Sequence, residues 1–317
     1  MNKSPYTYWN PWHGCTKISD GCKYCYVYRQ DEMYGTEINS SVCRKTANFN
    51  LPVKKKRDGS YKIPSGEVIF TCFTSDFLLE DADGWRNECW QMIKERSDCM
   101  FYFFTKRITR LQQCLPQDWG TGYDNVHIGC TVENQKYADI RLPVFLSLPI
   151  KHRSVIVAPM LEQIDISKYL KMPQNFQQNK TNEILQNFAD TKNTEKQKAL
   201  SSFEKSENYE ASENFEFFKK LTNNENFITE VSVGGESGVN ARPCNYDWVL
   251  NLRRQCVENN VSFNFHQTGA YFIKDRKTYR IKRAFQISQA ALANINFTAN
   301  KNTTVLNNPK SENKNKI

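Results

Sequence analysis

The stretch Met100-Phe101-Tyr102-Phe103-Phe104-Thr105-Lys106-Arg107 decides the fold of this 317-residue chain. Its first five residues are apolar, which is typical of a buried strand, and its last three are polar. A short helical pattern follows and ends before Pro116, and the next apolar run, 125–130, again leads into polar residues, 131–134. A strand, a helix and a second strand in this order predict a parallel βαβ unit.

The same unit recurs on both sides of this stretch. Further apolar runs lie at 6–9, 67–73, 153–158, 228–233 and 261–267, and helical patterns lie at 26–34, 85–97, 108–115, 137–141 and 247–259. We therefore expect an α/β fold, a partial (β/α) TIM-like barrel of about six to seven parallel strands rather than the full eight.

The composition divides the chain into four segments. Residues 1–171 are expected to form the first part of the barrel, and residues 227–285 its closing part. Residues 172–226 are rich in Asn, Gln, Glu, Lys and Ser, which predicts a polar low-complexity insertion between two strands. Residues 286–317 are again rich in Asn and Lys and are predicted to be a flexible tail.

The formal net charge of +9 permits contact with nucleic acid or phosphates but does not require it. The densest basic run, Lys54 to Arg57, precedes the turn signal Asp58-Gly59, so it is either a solvated turn or a phosphate-binding patch. The sequence shows no secretory signal and no run of 18 apolar residues, which predicts a cytoplasmic protein without a membrane partner. In that compartment the eleven cysteines are expected to be thiols or metal ligands.

Cys15, Cys22 and Cys25 stand at C-x6-C-x2-C spacing in a loop that follows the first apolar run. Thiolates favour zinc, copper(I) or iron–sulfur clusters, and a structural zinc site needs four ligands. Three cysteines without a partner pair downstream suit a [4Fe-4S] cluster with one iron left open. Zinc with a remote fourth ligand and simple buried thiols are the alternatives, and Cys43 is the nearest candidate for a fourth ligand.

Polar side chains and glycines follow successive strands where each strand ends. They are Ser75 and Asp76, Lys106 and Arg107, Thr131, Glu133 and Asn134, Gly234, Gly235, Glu236 and Ser237, and His266 and Gln267. In a parallel barrel these ends open onto one mouth, where active sites lie, and the cysteines reach the same mouth. We therefore expect the functional site there, while the ordinary polarity of loops is the alternative explanation.

The residue types at these strand ends suggest individual roles. Gly234 and Gly235 would let a ligand approach the backbone, and Glu236 would accept an ammonium group or ribose hydroxyls, although a simple turn explains these three residues equally well. Lys106 and Arg107 suit a carboxylate or a phosphate. His266 suits an acid, a base or a substrate donor, or is a hydrogen-bonded barrel histidine.

Cys22-Lys23-Tyr24-Cys25 resembles the C-x-aromatic-C end of the radical S-adenosylmethionine (radical SAM) signature. The wider block, W-N-P-W-x-G-C followed by G-C-x-x-C-Y, is similar to an uncharacterised, phage-associated, radical-SAM-like family. Further blocks resemble that family: S-D at 75–76, T-K-R at 105–107, T-V-E-N at 131–134, G-G-E-S-G at 234–238, A-R-P at 241–243 and Q-x-G at 267–269.

The resemblance implies an oxygen-sensitive enzyme in which Cys15, Cys22 and Cys25 hold the cluster and Tyr24 lies near the adenine of S-adenosyl-L-methionine. The cofactor-binding candidates are Tyr24, Ser75, Asp76, Thr131, Glu133, Asn134, Gly234, Gly235, Glu236 and Ser237. The catalytic candidates are Lys106, Arg107 and His266. Reductive cleavage of the cofactor would give a 5′-deoxyadenosyl radical, with electrons from a donor such as flavodoxin or ferredoxin.

Two positions depart from these patterns. The commonest radical SAM spacing has three residues between the first two cysteines, whereas this chain has six, and Ala158 stands where the phage-associated family has an acidic residue before proline. A substrate is not implied, although a nucleic acid or a partner protein is compatible with the charge. The second hypothesis is therefore a metal-stabilised nucleic-acid-binding protein without radical chemistry.

Overall fold

The computed structural model describes residues 6–34, 40–170 and 227–299. Its strands are β1 (Tyr6–Trp9), β2 (Trp12–His13), β3 (Arg44–Lys45), β4 (Val68–Thr71), β5 (Met100–Thr105), β6 (Val126–Thr131), β7 (His152–Val157), β8 (Glu230–Gly234), β9 (Cys244–Asn245), β10 (Ser262–Gln267), β11 (Tyr271–Lys274) and β12 (Lys277–Arg280). Its helices are α1 (Tyr26–Met33), α2 (Asp83–Glu95), α3 (Leu111–Cys114), α4 (Gln135–Ser147), α5 (Ser167–Leu170), α6 (Tyr246–Glu258) and α7 (Gln286–Leu292).

Seven strands form the main sheet in the order β1-β4-β5-β6-β7-β8-β10, and every neighbouring pair is parallel. Helices α2, α4 and α6 each link two of these strands, as parallel connections require. Within the described ranges β1 and β10 are the outer strands, so the sheet is a half-barrel. The predicted α/β partial barrel is confirmed.

The two faces of the main sheet differ in what covers them. On β5, Phe101 and Phe103 are fully buried and pack against large aromatic side chains, with ring centroids 5.8 Å from Trp9 and 6.2 Å from Trp90 of α2. The alternate residues Tyr102 and Phe104 are only half-buried and point to the other side, because successive strand residues face opposite ways. The main core therefore lies between the sheet and its helices.

The chain after β10 is more ordered than its composition indicates. Residues 286–299 were expected to belong to a flexible tail, yet α7 begins at Gln286, whose side chain is buried and donates to the Ile281 carbonyl at 3.1 Å. Ala290 is also buried, and Phe297 forms an antiparallel bridge with Phe263 of β10. A few small or aromatic anchors are enough to hold a polar segment against the sheet edge.

Strands β9, β11 and β12 form a separate three-stranded sheet, and β2 and β3 form a two-stranded one. The predicted insertion, 172–226, and residues 300–317 of the predicted tail lie outside the described residues. No helix in the described ranges is both long and apolar enough to cross a membrane.

Candidate functional site: the cysteine loop at the barrel mouth

Residues 14–25, here called the cysteine loop, cross the carboxyl ends of the strands. The loop leaves β2, and the Gly14 and Cys15 N–H groups donate to the carbonyls of Thr74 (3.2 Å) and Ser40 (2.8 Å). Cys22 ends a short 3-10 helix that starts at Asp20, and Cys25 is the N-cap of α1. The loop therefore brings its three cysteines to the mouth of the half-barrel, as the sequence predicts.

Gly14 is required by the path of the loop. Its φ of +97° is in the left-handed region, and a β-carbon there would overlap the Val42 carbonyl. We expect Gly14→Ala to lower the free energy of unfolding by about 3 kcal/mol, from backbone strain and overpacking together. Gly59→Ala is the control, because Gly59 has a similar φ of +84° but open space around it, and should cost about 1 kcal/mol.

Chemical denaturation of the two glycine variants measures this difference directly. Equal losses at the two positions would show that crowding against Val42 contributes nothing.

The three thiols lie in one electrostatic environment. Burial raises the pKa of Cys15 to about 12, which Arg107 opposes, with its Nη1 3.5 Å from the sulfur. Burial also raises the pKa of Cys25, against the backbone N–H of Val27 and the charge of Lys106. The charge of Cys22 also raises the pKa of both thiols. The two cations therefore favour thiolates in a buried site.

Cys43 has a different environment from these three thiols. Burial raises the pKa of its thiol to about 11, and the charges that act on it are those of Asp81, Arg44 and Arg86. Its predicted candidacy as a fourth ligand therefore gains no support from its surroundings.

Cys15, Cys22 and Cys25 are the donor set for the predicted cluster. Within the described residues no three Cys, His, Asp or Glu side chains converge closely enough to hold a single metal ion. A cluster makes a different demand, since each thiolate binds a different iron and the sulfurs lie further apart than around one ion. Three partly buried thiols in one loop, with Arg107 near Cys15 and Lys106 near Cys25, are of the donor type that such a cluster takes.

Glu133 is the central support of the cysteine loop. Its carboxylate is completely buried, is bonded to Arg141 Nη1 of α4 at 2.8 Å and accepts a hydrogen bond from the Ser19 hydroxyl. Lys106 Nζ lies 3.8 Å away. A β-carbon at Gly21 would overlap the Glu133 side chain, so the loop lies directly on it. Because these protein groups bind its carboxylate, Glu133 holds the loop in this structure, and its predicted contact with the cofactor stays a prediction.

Asp76 and Arg107 support the other side of the loop. Asp76 is buried and accepts from the Thr105 hydroxyl at 2.8 Å and from the Lys106 N–H at 3.1 Å, while Arg107 Nη1 lies 3.4 Å from its Oδ2. Arg107 Nη2 then donates to the Thr16 carbonyl at 2.8 Å. Asp76 thus orients Arg107 towards the loop.

Ser75 also binds the cysteine loop directly, since its hydroxyl donates to the Gly14 carbonyl at 2.5 Å. Asn134 accepts from the Tyr137 N–H as the N-cap of α4, and its amide donates to Asp20 Oδ2 at 3.2 Å. Both predicted residues therefore reach the cysteine loop, from β4 and from β6.

Glu236 reaches the loop through Arg242. The Glu236 carboxylate is buried and receives two guanidinium hydrogen bonds from Arg242, at 2.6 and 2.9 Å, and a third from the Arg242 backbone N–H. The same guanidinium donates to the Asp20 carbonyl at 2.9 Å and lies 5.4 Å from the Tyr24 ring. A bidentate pair of this kind is strong and geometrically specific.

The remaining predicted residues of β6 and β8 also bind protein groups. The Thr131 carbonyl accepts from Arg141 at 2.7 Å, and the Ser237 carbonyl accepts from Arg29 of α1 at 2.8 Å. A β-carbon at Gly234 would overlap the His266 ring, and one at Gly235 would overlap the Thr268 carbonyl. The space that the two glycines leave is therefore filled by β10 and the residues after it.

His266 is neutral over most of the pH range. Burial, followed by the charge of Arg283, lowers its pKa to about 4, and Nδ1 lies 3.4 Å from the Ser232 hydroxyl. Because the unfolded chain has a histidine pKa near 6.5, it binds the proton first as the pH falls. The contribution of His266 to stability is complete above pH 6.5 and is lost between about pH 6.5 and 4.

We expect that loss to be about 3 kcal/mol for His266. Urea unfolding of the wild type and of His266→Gln at pH 7 and pH 4 measures it, since other titrating groups cancel in the difference. A variant that loses stability on acidification as steeply as the wild type would show that His266 does not titrate in this way.

Tyr24 lines a cleft of about 160 Å³ beside the cysteines. The other residues that line it are Lys17, Lys23, Cys25, Tyr28, Arg29, Glu32, Val239 and Asn240. This cleft combines two aromatic rings, a thiol and cationic side chains next to the loop. It is the place where the structure leaves room for a small molecule at the predicted adenine neighbour.

The sequence alone does not single out Ser19, Arg141 and Arg242, although each completes a support of the loop. The signal for Arg242 is its position in the A-R-P block, six residues after Glu236. The signal for Arg141 is weaker, since it is one of several arginines on predicted helices.

The sequence model of a protein family matches residues 5–307 of the chain. The chain belongs to this family, described as "Protein of unknown function (DUF5131)". No curated protein and no solved structure matches the chain. Because the match spans all the described residues, the family's domain includes the cysteine loop and its supports.

Proposed function

We propose that this protein is an iron–sulfur enzyme of radical SAM type. Cys15, Cys22 and Cys25 would bind a [4Fe-4S] cluster, and the observation that carries this assignment is the position of their loop over the strand ends, held there by strand-end side chains. When bound, the cluster supplies one electron for reductive cleavage of S-adenosyl-L-methionine, which leads to hydrogen abstraction from a substrate.

The chain's own residues prepare this site. Burial raises the pKa of Cys15 and of Cys25, and Arg107 and Lys106 respectively oppose that effect, so the two cations lower the cost of the thiolate form that a metal group requires. Tyr24 remains the predicted neighbour of the adenine and lies in a cleft next to Cys25. Lys106 remains a candidate for the cofactor carboxylate. An electron donor such as flavodoxin or ferredoxin belongs to the same proposal.

The test is anaerobic purification followed by reconstitution with iron and sulfide. We expect a brown protein with about four irons, followed by the absorbance and electron paramagnetic resonance signals of a [4Fe-4S] cluster. With S-adenosyl-L-methionine and reductant the protein should release 5′-deoxyadenosine, and it should not do so without reductant. Iron and sulfide loading without 5′-deoxyadenosine would refute the radical reaction.

A metal-stabilised nucleic-acid-binding protein is the second candidate. Lys54, Lys55, Lys56 and Arg57 are exposed on a loop that is closed by hydrogen bonds from Lys56 N–H to Ser60 and from Lys62 N–H to Lys54. None of the four forms an ion pair with a described residue, so their charge is available to phosphates. A colourless protein with one zinc, and DNA binding that weakens steeply with salt, would favour this function over the enzyme.

A further inference from the structure

The concave face of the half-barrel, opposite the helices, carries a contiguous set of aromatic side chains, two of them exposed and three half-buried. We call it the aromatic patch; its members are Tyr6, Tyr8, Phe70, Phe73 and Phe104. The ring of Phe73 lies 5.1 Å from Tyr8, 5.3 Å from Phe70 and 5.5 Å from Phe104. Tyr6 and Tyr8 belong to the outer strand β1 and are 41% and 51% exposed. A contiguous exposed apolar patch of this kind marks a binding surface.

The same face continues into a row of polar residues on the next strands. We call this row the polar floor; its members are Tyr102, His127, Ser154 and Glu230. Tyr102 and His127 are opposite each other on β5 and β6, with ring centroids 4.2 Å apart, and Ser154 is opposite Glu230 on β7 and β8. Burial raises the pKa of Tyr102, and the charge of Glu230 raises it further. The Tyr102 and Glu230 side chains therefore face each other across the concavity.

The polar floor lacks hydrogen-bond partners. His127 Nε2 and Ser154 Oγ are buried and bond to nothing, and the Glu230 carboxylate forms no hydrogen bond or ion pair with a described residue. Buried polar atoms are paired in most native proteins, because an unpaired one costs about 1–3 kcal/mol. A ligand whose edge carries hydrogen-bonding groups, directly or through an ordered water, would supply the missing partners.

Three cations at the same mouth form no ion pair with a carboxylate of the described residues. Arg283 donates to the Gln267 amide oxygen at 2.8 Å, Arg29 to Ser237, and Lys17 to the Lys23 carbonyl, so each binds a neutral group. The charge of Arg283 lowers the pKa of both His266 and Tyr26. Arg283 therefore lies beside the concave face. An anionic group on the ligand would meet these cations.

A flat aromatic face, a hydrogen-bonding edge and an attached phosphate are the features of a nucleotide. We propose that the concave face binds the nucleobase of the substrate, stacked on the aromatic patch around Tyr8 and Phe73, with its edge towards Glu230 and its phosphate towards Arg283. This proposal adds a substrate class to the proposed function. The binding of a nucleotide does not depend on the radical reaction, whereas the role of the nucleotide as its substrate rests on the proposed function. The base comes from a free nucleotide or from a single-stranded nucleic acid, which present the same chemistry.

Calorimetric titration of the full-length protein tests this binding. The probes are the four ribonucleoside monophosphates, a short single-stranded DNA of mixed sequence, ribose 5-phosphate, which lacks the base, and phenyl phosphate, which lacks the hydrogen-bonding edge. We expect at least one nucleotide or the DNA to bind at least tenfold more tightly than ribose 5-phosphate and phenyl phosphate. Equal affinity for either of these controls would overturn the proposal.

Three variants locate the site. We expect Tyr8→Leu to weaken binding about 5- to 150-fold, because stacking of a base on an aromatic ring is worth about 1–3 kcal/mol. Glu230→Gln should weaken binding about fivefold or more and change the preferred base, since an amide replaces one acceptor by a donor. Tyr279→Leu is the matched control on β12, at 45% exposure, and should leave binding unchanged.

Losses that are equal for Tyr8→Leu and Tyr279→Leu would overturn the location. Binding of the mononucleotides but not of the DNA would identify the free nucleotide as the source of the base, and the reverse result, with a steep salt dependence, would identify the polymer. Both outcomes support nucleobase recognition.

The experiment separates this inference from the enzyme assignment. Cys22→Ala should lose iron and still bind the nucleotide, since the aromatic patch and the polar floor contain no cysteine. A protein that loads iron and releases 5′-deoxyadenosine, yet binds no base, would retain its proposed reaction and contradict the substrate class.

Discussion

Cys22→Ala is expected to abolish iron loading under anaerobic reconstitution. Cys22 ends the 3-10 helix of the loop, and its charge raises the pKa of both Cys15 and Cys25, so it lies near both thiols. Two thiolates cannot hold three corners of a cluster, so the remaining cysteines should bind little iron. Iron and sulfide analysis, with the absorbance of the reconstituted protein, measures the loss.

Cys43→Ala is the matched control for this variant. Cys43 is also half-exposed, and its neighbouring charges are those of Asp81, Arg44 and Arg86 rather than those of the loop thiols. We expect it to load as much iron as the wild type. Unchanged loading in Cys22→Ala would remove Cys22 from the ligand set, and loss of loading in Cys43→Ala would make Cys43 a fourth ligand.

Glu133→Ala is expected to lower the free energy of unfolding by about 3–5 kcal/mol. The substitution leaves the buried Arg141 guanidinium without its charge partner and takes away the acceptor of the Ser19 hydroxyl. Removing one partner of a buried ion pair is costly because the other charge stays out of water. The loop above should also lose its support, so the iron content after reconstitution should fall.

Asp124→Ala provides the comparison for Glu133→Ala. Asp124 pairs with Lys151 at 2.8 Å, but its side chain is 89% exposed, so water screens the pair and the substitution should cost far less than Glu133→Ala. Urea denaturation of both variants gives the two values. If Glu133→Ala is no more harmful than Asp124→Ala, the buried pair does not hold the loop.

Much of the fold is predictable from the sequence because each strand is a short apolar run that is easily recognised. Apolar runs such as 100–104 end in polar residues at the carboxyl end of most strands, and parallel strands then place those ends together. The boundary of the tail is less predictable, because the packing of Ala290 and Phe297 depends on a sheet edge that no local pattern describes.

The candidate site is predictable as a location but not as a set of roles. Glu133 and Glu236 lie at the mouth as predicted, yet each carboxylate is bonded to an arginine, Arg141 or Arg242, to which no role is assigned from the sequence. Charge partners such as Arg141 are chosen by three-dimensional proximity, which spacing along the chain does not reveal. The unpaired atoms of His127 and Ser154 were equally invisible, since both residues look like ordinary strand positions.

The contact between Asp20 and Arg242 joins residues that are 222 positions apart. During synthesis on the ribosome the three cysteines emerge long before the guanidinium that fastens their loop. The nascent chain therefore carries unprotected thiols until β8 and the residues after it have been translated. If the loop holds the proposed cluster, we expect the complete site for it to exist only after that part of the chain has been made.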